Sequence, residues 1–375
     1  MSKIKHIPVF KPSCTDREVN AVTNVLRTGW WGLGPKTEEF ENKFAKYINV
    51  KYAVGVNSAT AGLDLSLKAL NISKGEIIVP ALTFASTGLA GLYNNCKVIF
   101  ADVDRETLCI DPRDVARKIT SDTVAIIVVH YGGHPVDLDQ FSFVNPKTKK
   151  KIPIIEDCAH AAGSFYKGVH VGTVGATSCF SFHPVKNIAT PDSGIVATKN
   201  ERVYKKLLPL RWCGIDKSTW QRVGKKYNWD YIINTVGYKM HMNDVAAALG
   251  IVQLSRLKKM NARRRQIRNL YDKGLAKLDW LQLPVEKKWA KSSWHLYVVR
   301  CKKRNELMDW LSKRHIETTG HYKPLYYYPI FNNKHNTPIT EKEWKKIVVL
   351  PMFPELTNKE VQYIIDAVVK FSPHA

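Results

Sequence analysis

The chain is short of acid. Its 375 residues carry 33 Asp and Glu against 57 Lys and Arg, a formal charge of +24. Residues 201–310 alone hold 25 basic and 9 acidic residues. A deficit of that size raises the question of a polyanionic partner. No helix-turn-helix, RNP or zinc-finger pattern accompanies it, however, and the basic residues are spread along amphipathic stretches. Nucleic-acid binding is therefore not expected, and small anions such as nucleotide diphosphates are the better match. Also missing is any apolar run near the roughly 18 residues of a membrane span. The opening MSKIKHIPVF has too short an apolar stretch for a secretory signal, so no membrane attachment is expected. Seven cysteines (Cys14, Cys96, Cys109, Cys158, Cys179, Cys213 and Cys301) form no CxxC pair. That argues against a disulfide framework and a zinc site, so no metal is expected, and it fits a cytoplasmic location. No internal repeat is visible.

What remains is an ordinary globular composition, 45% apolar and 24% charged, at a length that calls for two lobes. From Lys51 onward, short apolar runs alternate with helical patterns. YAVGV, EIIVP, KVIFADV, TVAIIVVH and IPIIED read as strands. The last two show almost no polar alternation, as expected of strands covered on both faces. ATAGLDLSLKAL reads as a helix with Leu63, Leu67 and Leu70 on one face, and DPRDVARKI opens with an aspartate cap and a first-turn proline. TSCFSF and GIVAT are separated by a loop. The pattern predicts an α/β fold with a mainly parallel, mixed central sheet in a large domain over residues 1–245. From Asn243 a basic amphipathic stretch of more than 30 residues, with Val245, Leu249, Val252 and Leu257 at helical spacing, bridges to a smaller α+β domain over 246–375.

Two residues organise the chemistry. Asp157 ends the strand-like KIPIIED, and Lys186 ends GATSCFSFHPVK, 29 residues later. An acid and a lysine offered from neighbouring strand ends is what pyridoxal 5'-phosphate requires: an amine for its aldehyde and a carboxylate for its ring nitrogen. Burial beside Ile154 and Ile155 raises the pKa of such an acid unless a cation faces it, and burial lowers that of the lysine. In GVNSATAGL, Ser58, Ala59 and Thr60 stand where a strand turns into a helix, a position suited to a phosphate; taken alone, such residues are more often a plain helix cap. Ser181 adds a hydroxyl five residues before Lys186. Phe84 follows EIIVP at the same end of the sheet, where its ring can cover a pyridine. His160, one helical turn past Asp157, is placed to reach the cofactor's phenolic oxygen.

These segments, in order, resemble the DegT/DnrJ/EryC1/StrS family of aminotransferases that act on nucleotide-linked keto sugars. NSATAGL, TFAST, IIEDCAHAAGS and SFHPVK are similar to its cofactor segments, and MNDVAAALGIVQLSRL, HLYVVR, HYKPL and VVLPMFPELTNKEV to its C-terminal ones. The resemblance implies a type I aminotransferase fold and a homodimer with active sites at the subunit interface. It implies Lys186 as the lysine that carries the cofactor and shuttles the proton, Asp157 on the ring nitrogen and His160 near the phenolic oxygen. Phe84 would be the ring cover, and Ala59, Thr60 and Ser181 the phosphate ligands. Two departures stand out: GYKMHMND puts Lys239 and His241 where many members read Gly-Tyr-Asn-Tyr-Arg, and TPDSG replaces Gly-Glu-Gly-Gly.

The reaction implied moves an amino group from glutamate, through pyridoxamine phosphate, to carbon 4 of a nucleotide-linked 4-keto-6-deoxy hexose. Amination of a 3-keto or other keto sugar is the nearest alternative. A pyridoxamine-dependent sugar dehydratase and a nucleic-acid-binding regulator are more distant ones; relatives that dehydrate carry His in place of the lysine. Trp30, Lys239, His241, His321 and Tyr322 are candidates for holding the sugar and its diphosphate.

Overall fold

The computed structural model describes residues 6–224, 229–331 and 336–372. Helices α1 (Asp16–Thr28) and α2 (Pro35–Ile48) precede a seven-stranded sheet. Its strands are β1 (Tyr52–Val56), β2 (Gly75–Pro80), β3 (Cys96–Ala101), β4 (Thr123–Val129), β5 (Ile154–Asp157), β8 (Thr177–Ser181) and β9 (Gly194–Thr198). Between β5 and β8 lie the two-residue strands β6 (Phe165–Tyr166) and β7 (Val169–His170). Helices α3 (Ala59–Ala69), α4 (Ala85–Tyr93) and α5 (Pro112–Lys118) make the crossovers, and α6 (Glu201–Arg211) follows β9.

The spatial order is β1-β9-β8-β5-β4-β2-β3. All neighbours from β8 through to β3 are parallel, and β9 alone runs against the rest because a loop, not a helix, joins it to β8. Successive residues feed two different cores. Ile126 and Val128 join one cluster, Ala125 and Ile127 the other, and Ile154 and Ile155 divide in the same way. The unbroken apolar runs in the sequence are thus strands whose two faces are both covered.

After the short α7 (Thr219–Arg222) comes α8 (Asp244–Leu275), 32 residues long and roughly 48 Å at 1.5 Å per residue. Asn243 caps it, accepting from the Ala246 N–H at 2.9 Å. Asp244 in turn caps α2, whose own N-cap, Gly34, has no side chain. It accepts from the N–H groups of Gly34, Lys36 and Thr37 at 2.9–3.0 Å and from the Thr37 hydroxyl at 2.8 Å. The expected face of α8 is corrected: Ala246, Gly250, Leu254 and Leu257 are its buried side, whereas Val245, Leu249 and Val252 are half-buried. Gly250 explains the rotation, because a Cβ there would stand 2.8 Å from the Phe40 ring of α2. α8 thus presents a small residue to the large Phe40 of α2, which lets the two helices approach closely.

The last third of the chain supplies β10 (Leu281–Gln282), β11 (Ala290–Lys291), β12 (Tyr297–Cys301) and β13 (Ile347–Leu350), with α9 (Arg304–Ser312), α10 (Pro338–Glu343) and α11 (Asn358–Val369). β10, β12 and β13 form an antiparallel sheet, and its core is shared with Ile267, Tyr271 and Leu275 of α8. Ile7 also belongs to this core and bridges to Ile316, so the N-terminal segment crosses to the far end of the chain's fold. Phe10 follows it and stacks on His295 at 5.6 Å.

Candidate active site

The carboxyl ends of β1, β2, β5 and β8 lie along one edge of the sheet, and a cavity of about 260 Å³ opens there. Ser58, Ala59, Thr60, Phe84, Asp157, His160, Ser181, Lys186, His321 and Tyr322 all line it. Strand ends supply most of these because the crossover geometry leaves the loops, and the helix N-termini that follow, on that side.

Asp157 sits at the bottom. Strand alternation turns it toward the cavity and sends its neighbour Glu156 the other way. Its Oδ2 accepts from the Thr87 hydroxyl at 2.9 Å, and its Oδ1 from the Ala159 N–H at 3.1 Å. Burial pushes its pKa up; those two hydrogen bonds and the Lys186 charge only partly oppose this. Glu156, fully buried, is spent on structure. It accepts from the N–H groups of Gly172, Val174 and Gly175 at 2.6–2.9 Å and pairs with His130 at 3.0 Å. Burial works to raise its pKa, but those bonds bring it below the usual carboxylate range.

Lys186 is half-buried, its open side being the cavity. Desolvation lowers its amine to about 8, with the Asp157 charge working in the opposite sense. An amine in that range can both give and take a proton near neutrality. Lys186 lies just past β8, where its backbone N–H donates to His183 at 2.8 Å.

Ser58 is the N-cap of α3, its hydroxyl accepting from the Ala61 N–H at 3.1 Å. The first amides of α3, on Ala59 and Thr60, are the helix's unsatisfied donors. Gly194 brings the start of β9 against this turn: a Cβ there would meet the Phe180 carbonyl at 2.6 Å and the Ala59 nitrogen at 2.9 Å. Ser181, buried at the end of β8, accepts from the His183 N–H at 3.4 Å. Phe84 is 56% exposed and borders the cavity, its ring 5.9 Å from that of Tyr322.

Burial and the charge of Lys186 hold the His160 imidazole well below its ordinary pKa, so it is neutral. Both ring nitrogens are engaged: Nδ1 accepts from the Gly132 N–H at 3.2 Å, and Nε2 is 3.1 Å from the Tyr322 hydroxyl. Tyr131 donates to the carbonyl of His321 and so fixes the backbone that carries Tyr322.

Three of the sequence-derived residues lie outside this cavity. The Trp30 indole donates to the Leu33 carbonyl at 3.3 Å and packs edge-on against Trp220 at 5.1 Å. The Lys239 amine lies 3.7 Å from the centre of the Trp212 ring. His241 meets the same ring edge-on at 4.5 Å and donates through Nδ1 to the Met242 carbonyl at 2.8 Å. Sequence reasoning, in turn, missed Thr87, which holds Asp157, and Thr83, which lines the cavity with its hydroxyl 2.8 Å from that of Thr87. Both are ordinary-looking threonines in TFAST. The hint was their spacing of four, which puts them one above the other at the start of a helix.

Residues 12–369 match the sequence profile of the DegT/DnrJ/EryC1/StrS aminotransferase family. The chain belongs to that family. The uncharacterised protein MJ1066 of Methanocaldococcus jannaschii is 38% identical, over 99% of this chain and 98% of its own. The spore coat polysaccharide biosynthesis protein SpsC of Bacillus subtilis is 34% identical, over 96% of each chain. Among solved structures, Spr1654 of Streptococcus pneumoniae, named as a candidate sugar aminotransferase and solved in its PLP form, superposes with a TM-score of 0.90. It is 32% identical and the match covers 97% of each chain. The fold is thus the type I aminotransferase fold, and the family is one of pyridoxal phosphate-dependent sugar aminotransferases.

The cavity fits that cofactor on its own chemistry. A carboxylate whose pKa is raised by burial, beyond what Lys186 and its two hydrogen bonds offset, suits a protonated ring nitrogen. The opening amides of α3, beside the Ser181 hydroxyl, suit a phosphate, and Phe84 offers a flat apolar face.

Proposed function

We propose that this aminotransferase carries an amino group from glutamate to a nucleotide-linked keto sugar, at carbon 4 of a 4-keto-6-deoxy hexose. The observation that carries the aminotransfer half is Lys186, an amine lowered to about 8 in the same cavity as the buried Asp157. The sugar half rests on the family and on the polysaccharide role in the name of SpsC.

Pyridoxal phosphate, when bound, supplies an electron sink for breaking the bond to hydrogen at the donor's α-carbon. The protein's own residues do the rest. Asp157, kept in place by Thr87 and the Ala159 amide, stays ionised against a ring cation and holds the ring's charge. Ala59, Thr60 and Ser181 would hold the phosphate, and Phe84 would cover the ring. The Lys186 Nζ takes the proton from the donor and later delivers one to the sugar carbon. Being half-buried at the sheet edge, it works from within the protein while substrate enters from the open side.

The functional unit is a homodimer in which Trp30, Lys239 and His241 serve the partner's cavity. Their place outside the cavity of their own chain supports this. So do the exposed apolar side chains Trp229, Ile232, Ile233 and Val236, close in sequence to Lys239 and His241. A cytoplasmic location is part of this reading, supported by seven free cysteines, five of them buried; no helix among the described residues is long and apolar enough to cross a membrane.

The test is incubation with glutamate and a panel of nucleotide-linked 4-keto and 3-keto sugars, read by mass. A 4-amino sugar is the expected product. A 3-amino sugar would displace the carbon assignment, and loss of oxygen without gain of nitrogen would displace aminotransfer in favour of dehydration.

A further inference from the structure

His160 and Tyr322 form a chain of hydrogen bonds with a direction. The Gly132 N–H can only donate, so the ring nitrogen it meets, Nδ1 of His160, carries no proton. The ring is neutral, so its single proton is on Nε2, and that N–H donates to the Tyr322 oxygen 3.1 Å away. Tyr322 accepts this bond and keeps its own hydroxyl hydrogen. No acceptor for that hydrogen is found among the described residues, and the half-buried side chain has its open side on the cavity. Its phenol stays protonated, because burial beside Tyr131 and Asp157 pushes its pKa far up.

The rings are packed into this arrangement. His295 lies against the His160 ring at 4.5 Å, and Phe10 stacks on His295 at 5.6 Å with its edge toward His321 at 5.8 Å. The groups facing His160 from the surrounding elements are Lys186, His295, His321, Tyr131 and Tyr322. None of the three histidines competes as a charged donor, since each is held below its ordinary pKa by burial.

We propose that Tyr322 is a hydrogen-bond donor of this cavity to a ligand oxygen other than those of the phosphate, and that His160 is a positioning residue that acts through Tyr322 without touching the ligand. The inference deepens the aminotransferase reading and rests on it. It also reassigns the contact expected of His160: with both ring nitrogens engaged, the bond to a ligand oxygen passes to the tyrosine. The acceptor is an oxygen carried either by the cofactor ring or by a substrate.

A double-mutant cycle on the holoenzyme separates these roles. Tyr322→Phe removes one hydrogen bond and is expected to cost about three- to tenfold. If the acceptor is the ring oxygen, the loss is read as a shift in the absorbance and pH titration of the bound cofactor. If it is a substrate oxygen, the loss is read in the KM or kcat for one substrate with the cofactor spectrum unchanged. His160→Met is expected to show the same effect as Tyr322→Phe, the double variant no more than either, and His160→Gln to restore it. Gln can accept from Gly132 and donate to Tyr322 in the same sense. Additive losses, or a Tyr322→Phe enzyme identical to wild type in every readout, would overturn the proposal.

The tautomer is read separately, by nitrogen NMR of histidine-labelled protein without cofactor, where the proton is expected on Nε2 of His160. A proton on Nδ1 refutes the relay whatever the enzyme does. A wild-type protein with no cofactor band and no turnover fails the aminotransferase reading, and the tautomer still decides the relay.

Discussion

Replacing Thr87 with valine isolates the least conspicuous part of the site. Thr87 is fully buried, and its hydroxyl donates to Asp157 Oδ2 at 2.9 Å. Valine has nearly the same shape, so packing is kept while the hydroxyl is lost. A hydrogen bond to a charged group contributes about 1.5–3 kcal/mol. The site retains the Ala159 amide on the other carboxylate oxygen, so the lower end applies, roughly tenfold in affinity for a ligand that needs Asp157 ionised. Pyridoxamine phosphate is the appropriate probe because it does not bond covalently to Lys186. Titrating it into Thr87→Val apoprotein, followed by absorbance, should give a Kd about tenfold weaker than wild type. The sign of the pH effect is also fixed. With one stabilising bond gone, the raised pKa of Asp157 climbs further. Affinity should therefore be lost at a higher pH than in wild type as the solution is acidified. An unchanged Kd and pH profile, in a variant that melts normally, would refute the assignment of Asp157 as the ring partner.

Three further outcomes follow from the same structure. Glu156→Gln should cost about 3 kcal/mol in chemical denaturation, because the amide cannot accept from three N–H groups and His130 together. The stabilisation by Glu156, whose folded pKa is lowered, is present above the ordinary carboxylate value and is lost as pH falls below it, so the wild-type advantage should shrink in acid. Gly250→Ala should destabilise by about 1 kcal/mol despite alanine's better helix propensity, since its Cβ would stand 2.8 Å from the Phe40 ring; a rise in the denaturation midpoint would contradict the packing described. Lys186→Met should stabilise the apoprotein below about pH 8, and the difference should vanish as pH approaches 10.5, because the unfavourable protonated amine is present in full only below its folded pKa. Calorimetry at pH 7 and pH 10 reads this directly.

The parts of this molecule that sequence reveals are those where residue type and position coincide. Asp157 and the Ser58–Thr60 turn stand at strand ends and Lys186 in the turn that follows β8, and unbroken β-branched runs identify those strands as buried. The adjacent acids Glu156 and Asp157 are harder. Both are buried at the same strand end, and only the pleat, together with the three amides waiting at residues 172–175, decides that one is structural and the other faces the cavity. The face of α8 was hidden for a different reason. Val245, Leu249 and Val252 are larger than Ala246 and Gly250, yet the tight approach of Phe40 selects the side with Gly250. Thr87 carries no mark beyond its spacing of four from Thr83, since its importance lies in a contact 70 residues away in the chain. His160 stood out as a polar residue one turn past Asp157, but its partners, Gly132 and Tyr322, come from two other segments.

The central claim is a covalent link between one lysine and the cofactor. Reducing the enzyme with borohydride in the presence of pyridoxal phosphate, then digesting and sequencing, should place the pyridoxyl label on Lys186 in SFHPVK and nowhere else in stoichiometric yield. Absence of label, or label on a different lysine, would contradict the account.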